Sequence, residues 1–254
     1  MLLTYDVGNT NIVVGLFDGS SLAAHWRFAS DRNRTGDELR LTTRSLLAEA
    51  GIAPTVVEGI AVASVVPSLN TPLRQGLAPL IDGAVRFLNA DSSPIPLRVD
   101  QPTSVGADRI ANCIAGHALH GGPLLVLDFG TAITFDLVAE NGAFLGGAIA
   151  PEMRLAARAL TDTAAQLHSV ELTIPKSVVG KNTARNLQAG IVLGYLDLVA
   201  GLIARFRNEV AADLPVLATG GLGQLFHEQL DAIEHFDPFL TQKGLQIWWE
   251  AADD

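Results

Sequence analysis

Cysteine occurs once in the 254 residues, at Cys113, and basic residues are outnumbered by acidic ones, 17 to 27. The single thiol excludes an intrachain disulfide and fits a reducing compartment. A net charge of −10 argues against non-specific binding to nucleic-acid phosphates, which needs a basic patch. It leaves room for a small anionic ligand, because a local site can oppose the global charge. No run approaches the ~20 apolar residues that a membrane helix needs. The N-terminus, MLLTYDVGNT, has neither a basic region nor a cleavage site, so it is not expected to be a signal peptide. These absences point to a soluble, cytoplasmic protein with no nucleic-acid or membrane partner. With 48% hydrophobic and 17% charged residues the chain can bury a core. Its length suits one large domain or two smaller ones.

Periodicity divides the chain into two similar halves. Leu2–Tyr5, Asn11–Phe17 and Leu22–Ala29 read as an antiparallel meander, the last two joined at the turn Asp18-Gly19. Thr35–Ala50 has helical spacing, with Asp37 and Glu38 in its first turn. Strand Gly59–Pro67, helix Ser68–Leu80 and strand Ala84–Leu88 follow. A loop marked by Pro94, Pro96 and Pro102 leads into helix Gly106–His117. The order then returns. Pro123–Asp128, Ile133–Val138 and Ala143–Ala150 are strands, with Asn141-Gly142 as the hairpin turn. Helices are expected at Glu152–Gln166 and Thr183–Glu209, a strand at Leu214–Gly221, and a last helix at Leu240–Ala251. Two halves of ββαβα-like order imply duplication into two facing α/β domains, 1–119 and 120–254.

Within that repeat, the string YDVGNTNIVVGLFDG (Tyr5–Gly19) is echoed by LDFGTAITFDLVAENG (Leu127–Gly142). Each places an aspartate, Asp6 or Asp128, at the carboxyl end of a strand, then a glycine, then small polar residues, then another strand. One copy alone is satisfied by a tight turn. Two copies fit a phosphate clamp. Glycine lets the backbone approach a ligand, Asn and Thr supply donors, and a carboxylate can hold a hydrated Mg²⁺ that bridges phosphates. Gly220-Gly221, after the late strand, is a third candidate near a nucleotide. Such a set in two facing halves suits a cleft that holds ATP.

The order Asp-x-Gly-Asn-Thr, Asp-x-Gly-Thr-Ala, Ala-Thr-Gly-Gly resembles the superfamily of acetate and sugar kinases, heat-shock chaperones and actin. The fold it implies is α/β: two duplicated ribonuclease-H-like domains, mixed sheets flanked by helices, with the ATP cleft between them. VGADR (Val105–Arg109), which sugar kinases lack, joins TGDEL (Thr35–Leu39), ASVVP (Ala63–Pro67), LDFGTAITFD and SVVGKNTARNLQAGIVLGY (Ser177–Tyr195). Together they look like a type III pantothenate kinase, over nearly the whole chain.

The resemblance implies ATP-dependent phosphorylation of pantothenate, the first step of coenzyme A synthesis. It implies that Asp6, Val7, Gly8, Asn9, Thr10, Asn11, Ile12 and Val13 cradle the ATP phosphates, with Asp6 facing Mg²⁺, and that Thr131 also touches ATP. Val99, Gly106, Ala107, Asp108, Arg109 and Thr183 would form the pantothenate pocket, with Asp108 as catalytic proton acceptor. Asp128 would bind a monovalent cation, K⁺ or NH4⁺, and the protein would be a homodimer. A carboxylate beside the acceptor hydroxyl can take its proton, and an adjacent guanidinium can pair with a carboxylate or phosphate. GADR by itself also fits an ordinary helix start with an acid in the first turn. The chain departs from the family's usual pattern at Val99 (often aromatic), Glu152 (usually Gly) and Leu167-His168 (usually Leu-Pro). The alternative to an enzyme is a non-catalytic regulatory or accessory protein of the same fold.

Other features carry less. VVGKNT lacks the glycine and hydroxyl spacing of a P-loop, failing at Pro175 and Asn182. Cys113, His117 and His120 share helical spacing but are expected to be packing and surface residues. The stripe Leu187, Ile191, Tyr195, Leu198 and Leu202 reads as core or dimer surface, and Trp248-Trp249 as packing of the last helix.

Overall fold

The computed structural model describes residues 1–163 and 170–251. It separates into two compact units, one formed by Met1–Gly122, Val138–Gly146 and Phe239–Asp254, the other by Pro123–Leu137 and Gly147–Pro238.

In the first unit, strands β1 (Leu2–Val7), β2 (Asn11–Asp18), β3 (Ser21–Ala29), β4 (Gly59–Ser64) and β5 (Ala84–Phe87) form a sheet in the order β3-β2-β1-β4-β5. β1 runs antiparallel to β2 and parallel to β4. Both faces of β1 are covered, which is why its residues are mostly apolar, with Thr4 and Asp6 the polar exceptions. Leu3, Tyr5 and Val7 enter a core with Leu39 and Leu47 of α1 (Gly36–Glu49) and Leu69, Leu73 and Leu77 of α2 (Pro67–Leu77). On the other face Leu2 packs with Ala61, Ala63, Ile110 of α3 (Ala107–His120), and Leu245 and Trp248 of α8 (Leu240–Ala251). Side chains alternate along a strand, so Thr4 and Asp6 share Leu2's face, the face toward α3.

TGDEL proves to be a helix start. Thr35 Oγ1 accepts the Glu38 N–H at 3.3 Å, and Glu38 Oε2 accepts the Thr35 N–H at 2.8 Å. This capping box holds the exposed Glu38 carboxyl below the usual range. Gly36 and Gly76 lie against each other; a Cβ on Gly76 would stand 2.1 Å from the Gly36 carbonyl oxygen, so α1 and α2 meet there only as glycines.

The second unit's sheet contains β6 (Leu124–Phe129), β7 (Ala132–Val138), β8 (Phe144–Pro151), β9 (Val216–Gly220) and β10 (His235–Phe236), in the order β10-β9-β6-β7-β8. Read from the other edge, this is the first sheet again, with β6 in the place of β1 and β9 in that of β4. Even the closing hydrogen bonds repeat. The Val65 N–H donates to the Val7 carbonyl at 3.0 Å, and the Gly221 N–H to the Phe129 carbonyl at 3.0 Å. The core here joins Leu125, Leu127 and Phe129 to Val192, Val199 and Ile203. Helices α4 (Met153–Thr163), α5 (Thr183–Gln188), α6 (Gly194–Glu209) and α7 (Gly223–Gln229) complete the unit.

The units are not two continuous halves, 1–119 and 120–254. Phe239–Asp254 and Val138–Gly146 group with the first unit. Amphipathic spacing shows that α8 has an apolar face but not which sheet it covers; Leu245 and Trp248 are buried against α3. The β7–β8 turn joins the same unit through a bridge between Leu97 and Phe144 and a hydrogen bond from His117 Nε2 to the Glu140 carbonyl at 3.1 Å. The expected helix Thr183–Glu209 is interrupted by a π turn at Ala189–Leu193. The short α7 and the two-residue β10 carry too little periodicity to be read. The expectation that no run is long and apolar enough to cross a membrane does not hold: Thr183–Glu209 meets that test by length and composition, with 22% of its apolar window buried. Glu152 precedes α4 and caps it, its Oε2 accepting the Leu155 N–H at 3.1 Å. Its Oε1 is buried without a hydrogen-bond partner. Leu167-His168, and residues 164–166 of the helix expected to run to Gln166, lie outside the described residues.

Candidate active site

In the first unit the turn between β1 and β2 is closed by the Gly8 N–H, which donates to the Asn11 carbonyl at 3.0 Å. Asn9, Thr10 and Asn11 are exposed at its tip, while Val7 and Ile12 are buried in the core. Of the eight residues expected to cradle phosphate, Val7, Gly8, Ile12 and Val13 can offer only main-chain groups. Asp6 is part-buried and faces Val13 across the strands and Ala63 on β4. Arg32, which the sequence did not single out, donates from Nη2 to Asn9 Oδ1 at 2.9 Å. It sets a cation beside the turn in a chain of net charge −10.

GADR opens α3, with Gly106 as its N-cap. The Asp108 side chain folds back over Gly106, where a Cβ would come within 2.5 Å of Oδ1. Oδ1 accepts the Arg109 N–H at 2.8 Å. Burial pushes the Asp108 carboxyl above the usual aspartate range, against the lowering effects of that N–H and the Arg109 guanidinium. The Arg109 guanidinium lies 5.1 Å from the centre of the Phe144 ring, a cation–π contact. Val99 packs toward Gly146, whose φ is +109° and whose Cβ would stand 3.7 Å from Val99 Cγ1. Val65 joins these parts. Its N–H is bonded to Val7, and its Cγ1 would lie 3.4 Å from a Cβ on Gly106. The turn carrying Asp6 and the helix start carrying Asp108 are thus neighbours in one unit.

In the second unit the Gly130 N–H donates to the Ala132 carbonyl at 3.1 Å, so this turn spans only Thr131, which is exposed. Asp128 pairs with Thr219 of β9. Gly220 has φ +87°, and a Cβ there would meet Asp128 Oδ1 at 2.5 Å and the Phe129 backbone at 2.7 Å. Both conformation and space demand glycine. Gly220→Ala is expected to destabilise the protein by ~1–3 kcal/mol, the range for a strained backbone position. That would lower its thermal midpoint by ~2–4 °C per kcal/mol, read by calorimetry beside the parent. An unchanged midpoint would contradict this packing.

Thr183 is exposed and opens α5 behind its cap, Asn182, whose Oδ1 accepts the Arg185 N–H at 2.9 Å. The adjoining cleft, about 290 Å³, is lined by Lys176, Gly180 and Arg185 among others, so its charged groups are basic. The first unit therefore assembles Asp6–Val13, Val99 and Gly106–Arg109, and the second carries Asp128, Thr131 and Thr183. Cys113 is buried in α3, and no cluster of three or more His, Cys, Asp or Glu suited to a metal occurs among the described residues. Phe144 and Arg32 act through contacts that no local motif encodes, and Val65, although it lies in ASVVP, joins the turn and the helix start through contacts that this motif does not show.

A family model described as type III pantothenate kinase matches residues 2–205. A type III pantothenate kinase of Moorella thermoacetica is 44% identical over 256 residues, covering 98% of this chain and 99% of its own. One of Roseiflexus sp. is 43% identical over 252 residues, 98% of each. Among solved structures, a Campylobacter jejuni protein named as a Baf family transcriptional activator aligns with TM-score 0.64 at 20% identity, over 99% of this chain and 100% of that one. The ROK hexokinase of Thermus thermophilus aligns with TM-score 0.54 at 17% identity, over 100% and 99%. At such identities these two show a shared fold.

Proposed function

The chain belongs to the type III pantothenate kinase family, and from that premise we infer that it transfers the γ-phosphoryl group of ATP to the hydroxyl of pantothenate, giving 4′-phosphopantothenate in the first step of coenzyme A synthesis. The observation that carries the reading is Asp108, a desolvated carboxylate at the start of α3 with Arg109 beside it and the Asp6 turn next to it. Phosphoryl transfer proceeds through a loose transition state, so positioning and charge stabilisation do most of the work. Asp108 orients the acceptor hydroxyl and takes its proton as the new P–O bond forms. Arg109, steadied by Phe144, pairs with the pantothenate carboxylate. Val99 and Gly106–Ala107 line the acceptor, and Thr183 contacts it. The Asp6–Val13 turn and Thr131 receive the phosphates. The exposed amides and hydroxyl of Asn9, Thr10 and Asn11, with Asp6 behind them, form a donor set that fits a magnesium–nucleotide. Asp6 would hold the Mg²⁺ of the nucleotide there, and the ion would supply neutralisation of phosphate charge.

Asp128 serves a monovalent cation, K⁺ or NH4⁺, in this reading. The protein is a homodimer, supported by apolar surface on the second unit: Ile149 on edge strand β8 is 64% exposed, and Leu155 and Leu160 on α4 are exposed too. A dimer surface also accounts for the long apolar α5–α6 run better than a membrane does. Val199 and Ile203 of that run are in the core, and Arg207 is paired with Glu234 at 2.5 Å. The protein works in the cytoplasm, where ATP is supplied, and without nucleic acid. The test is phosphate transfer from ATP to pantothenate by the purified protein, measured against bare ATP hydrolysis. Pantothenate-dependent turnover supports the reading, and its absence with every nucleotide tried would leave a non-catalytic relative of the same fold.

A further inference from the structure

We propose that Thr241 and Gln242, in the first turn of α8, are positioning residues that fix the phosphate turn relative to the Asp108 base; the inference rests on the kinase reading above. This turn is polar although it is buried, Gln242 being 2% exposed and Thr241 9%. The Gln242 amide reaches both Asp6's own strand, β1, and its antiparallel neighbour, β2. Its Oε1 accepts the Thr4 hydroxyl, and its Nε2 donates to the Val13 carbonyl at 3.4 Å. Thr4 lies on the same face of β1 as Asp6, and Val13 is Asp6's partner across the strands. Space is kept for this contact at Gly15, where a Cβ would come within 2.6 Å of Thr4 Oγ1 and 3.1 Å of Gln242 Oε1.

The neighbouring side chain points to the other half of the site. Thr241 Oγ1 donates to Asn112 Oδ1 at 2.8 Å, and Asn112 is fully buried on α3, one turn beyond Asp108. The backbones touch here as well, since a Cβ on Gly244 would stand 1.9 Å from the Ala111 carbonyl oxygen. Adjacent residues of α8 thus hold the Asp6 strands with one side chain and the Asp108 helix with the other. Buried hydrogen bonds of this kind add little stability over apolar groups of the same shape, but they select one geometry. Phosphoryl transfer needs that geometry, because a ~1 Å misplacement can lower the rate about 10²-fold.

Gln242→Met and Thr241→Val keep the volume and remove the hydrogen bonds. Assayed well below their unfolding temperatures, each is expected to lose about 10-fold or more in kcat. KM for ATP and pantothenate should stay within about threefold, because the substrate contacts themselves are untouched. Thr241→Ser, which keeps the hydroxyl, should recover most of the parent kcat. Amide hydrogen exchange gives a readout that needs no substrate. It should quicken at the Val7–Ile12 turn in Gln242→Met and at the first turn of α3 in Thr241→Val, with α1 unchanged. A lowered unfolding midpoint with unchanged kcat and uniform exchange would reduce the pair to ordinary packing and overturn the proposal. If the parent itself does not phosphorylate pantothenate, the functional reading falls, and the exchange pattern alone decides whether α8 positions the two elements.

Discussion

Asp108→Asn is expected to lower pantothenate-dependent turnover by ~10²–10⁴-fold, the usual contribution of a positioned base, while the chain remains folded. The amide has nearly the same shape, and its carbonyl oxygen can still accept the Arg109 N–H that Oδ1 accepts at 2.8 Å. What it cannot do is take a proton. The pH dependence distinguishes this from a packing defect. Burial raises the Asp108 carboxyl above its unfolded value, so the folded chain holds that proton more tightly than the unfolded one. The resulting cost to stability is absent below the unfolded aspartate value of ~3.9 and grows as pH rises through the raised, folded value. An asparagine never ionises. At neutral pH the variant should melt no lower than the parent, and any advantage should shrink as the pH is brought down toward 4, about the unfolded aspartate value. The parent's kcat/KM should fall on the acid side at a pH above that ordinary value, because the protonated carboxyl is not a base. An asparagine variant with turnover within a few-fold of the parent would exclude the base role.

The duplication was legible because it rests on local signals. Asp6 and Asp128, each followed by glycine at a strand end, carry the same pattern, and the two sheets repeat the same strand order. The strands and main helices were legible for the same reason, through alternation, helical spacing and acidic first turns such as Asp37 and Glu38; the capping box of Thr35 and Glu38 was not. What escaped was what distance along the chain conceals. Leu245 and Trp248 mark an apolar face on α8, but only packing assigns that face to α3, at the other end of the sequence. Gln242 and Thr241 look like exposed helix polars in sequence and are buried in fact. Phe144 lies beneath Arg109 because the β7–β8 turn joins the first unit, a pairing that no spacing rule encodes. The helix expected to start at Glu152 starts at Met153, and Glu152 caps it by accepting the Leu155 N–H. Nothing in the sequence marked its second oxygen as buried without a partner.

Asp6→Asn and Asp128→Asn are expected to fail in different ways, although the two aspartates occupy equivalent strand ends. The turn after Asp6 spans Asn9 and Thr10 before Gly8 bonds to Asn11, whereas the turn after Asp128 spans Thr131 alone before Gly130 bonds to Ala132. The first is one residue longer and exposes more donors to a phosphate chain. The strand beside Asp6 continues through Ala63 and Ser64; the one beside Asp128 continues through Thr219 and Gly220, with Gly220 held at positive φ against the carboxylate. A carboxylate behind a wide, donor-rich turn suits the magnesium of a nucleotide. A carboxylate beside a hydroxyl residue and a closely packed backbone suits a monovalent ion, which needs several hard oxygen ligands at once. Asp6→Asn should therefore lower kcat/KM for Mg·ATP on the order of 10²–10³-fold, as losing one group that stabilises transition-state charge does. Its Mg²⁺ requirement should rise and its response to potassium should not change. Asp128→Asn should do the reverse. In the parent, replacing potassium by a bulky organic cation at constant ionic strength and saturating Mg²⁺ should lower activity; in Asp128→Asn the residual activity should not respond to the swap. If the potassium response is lost in Asp6→Asn and kept in Asp128→Asn, the assignment of the two carboxylates is reversed. A parent indifferent to potassium would leave Asp128 as a second magnesium ligand.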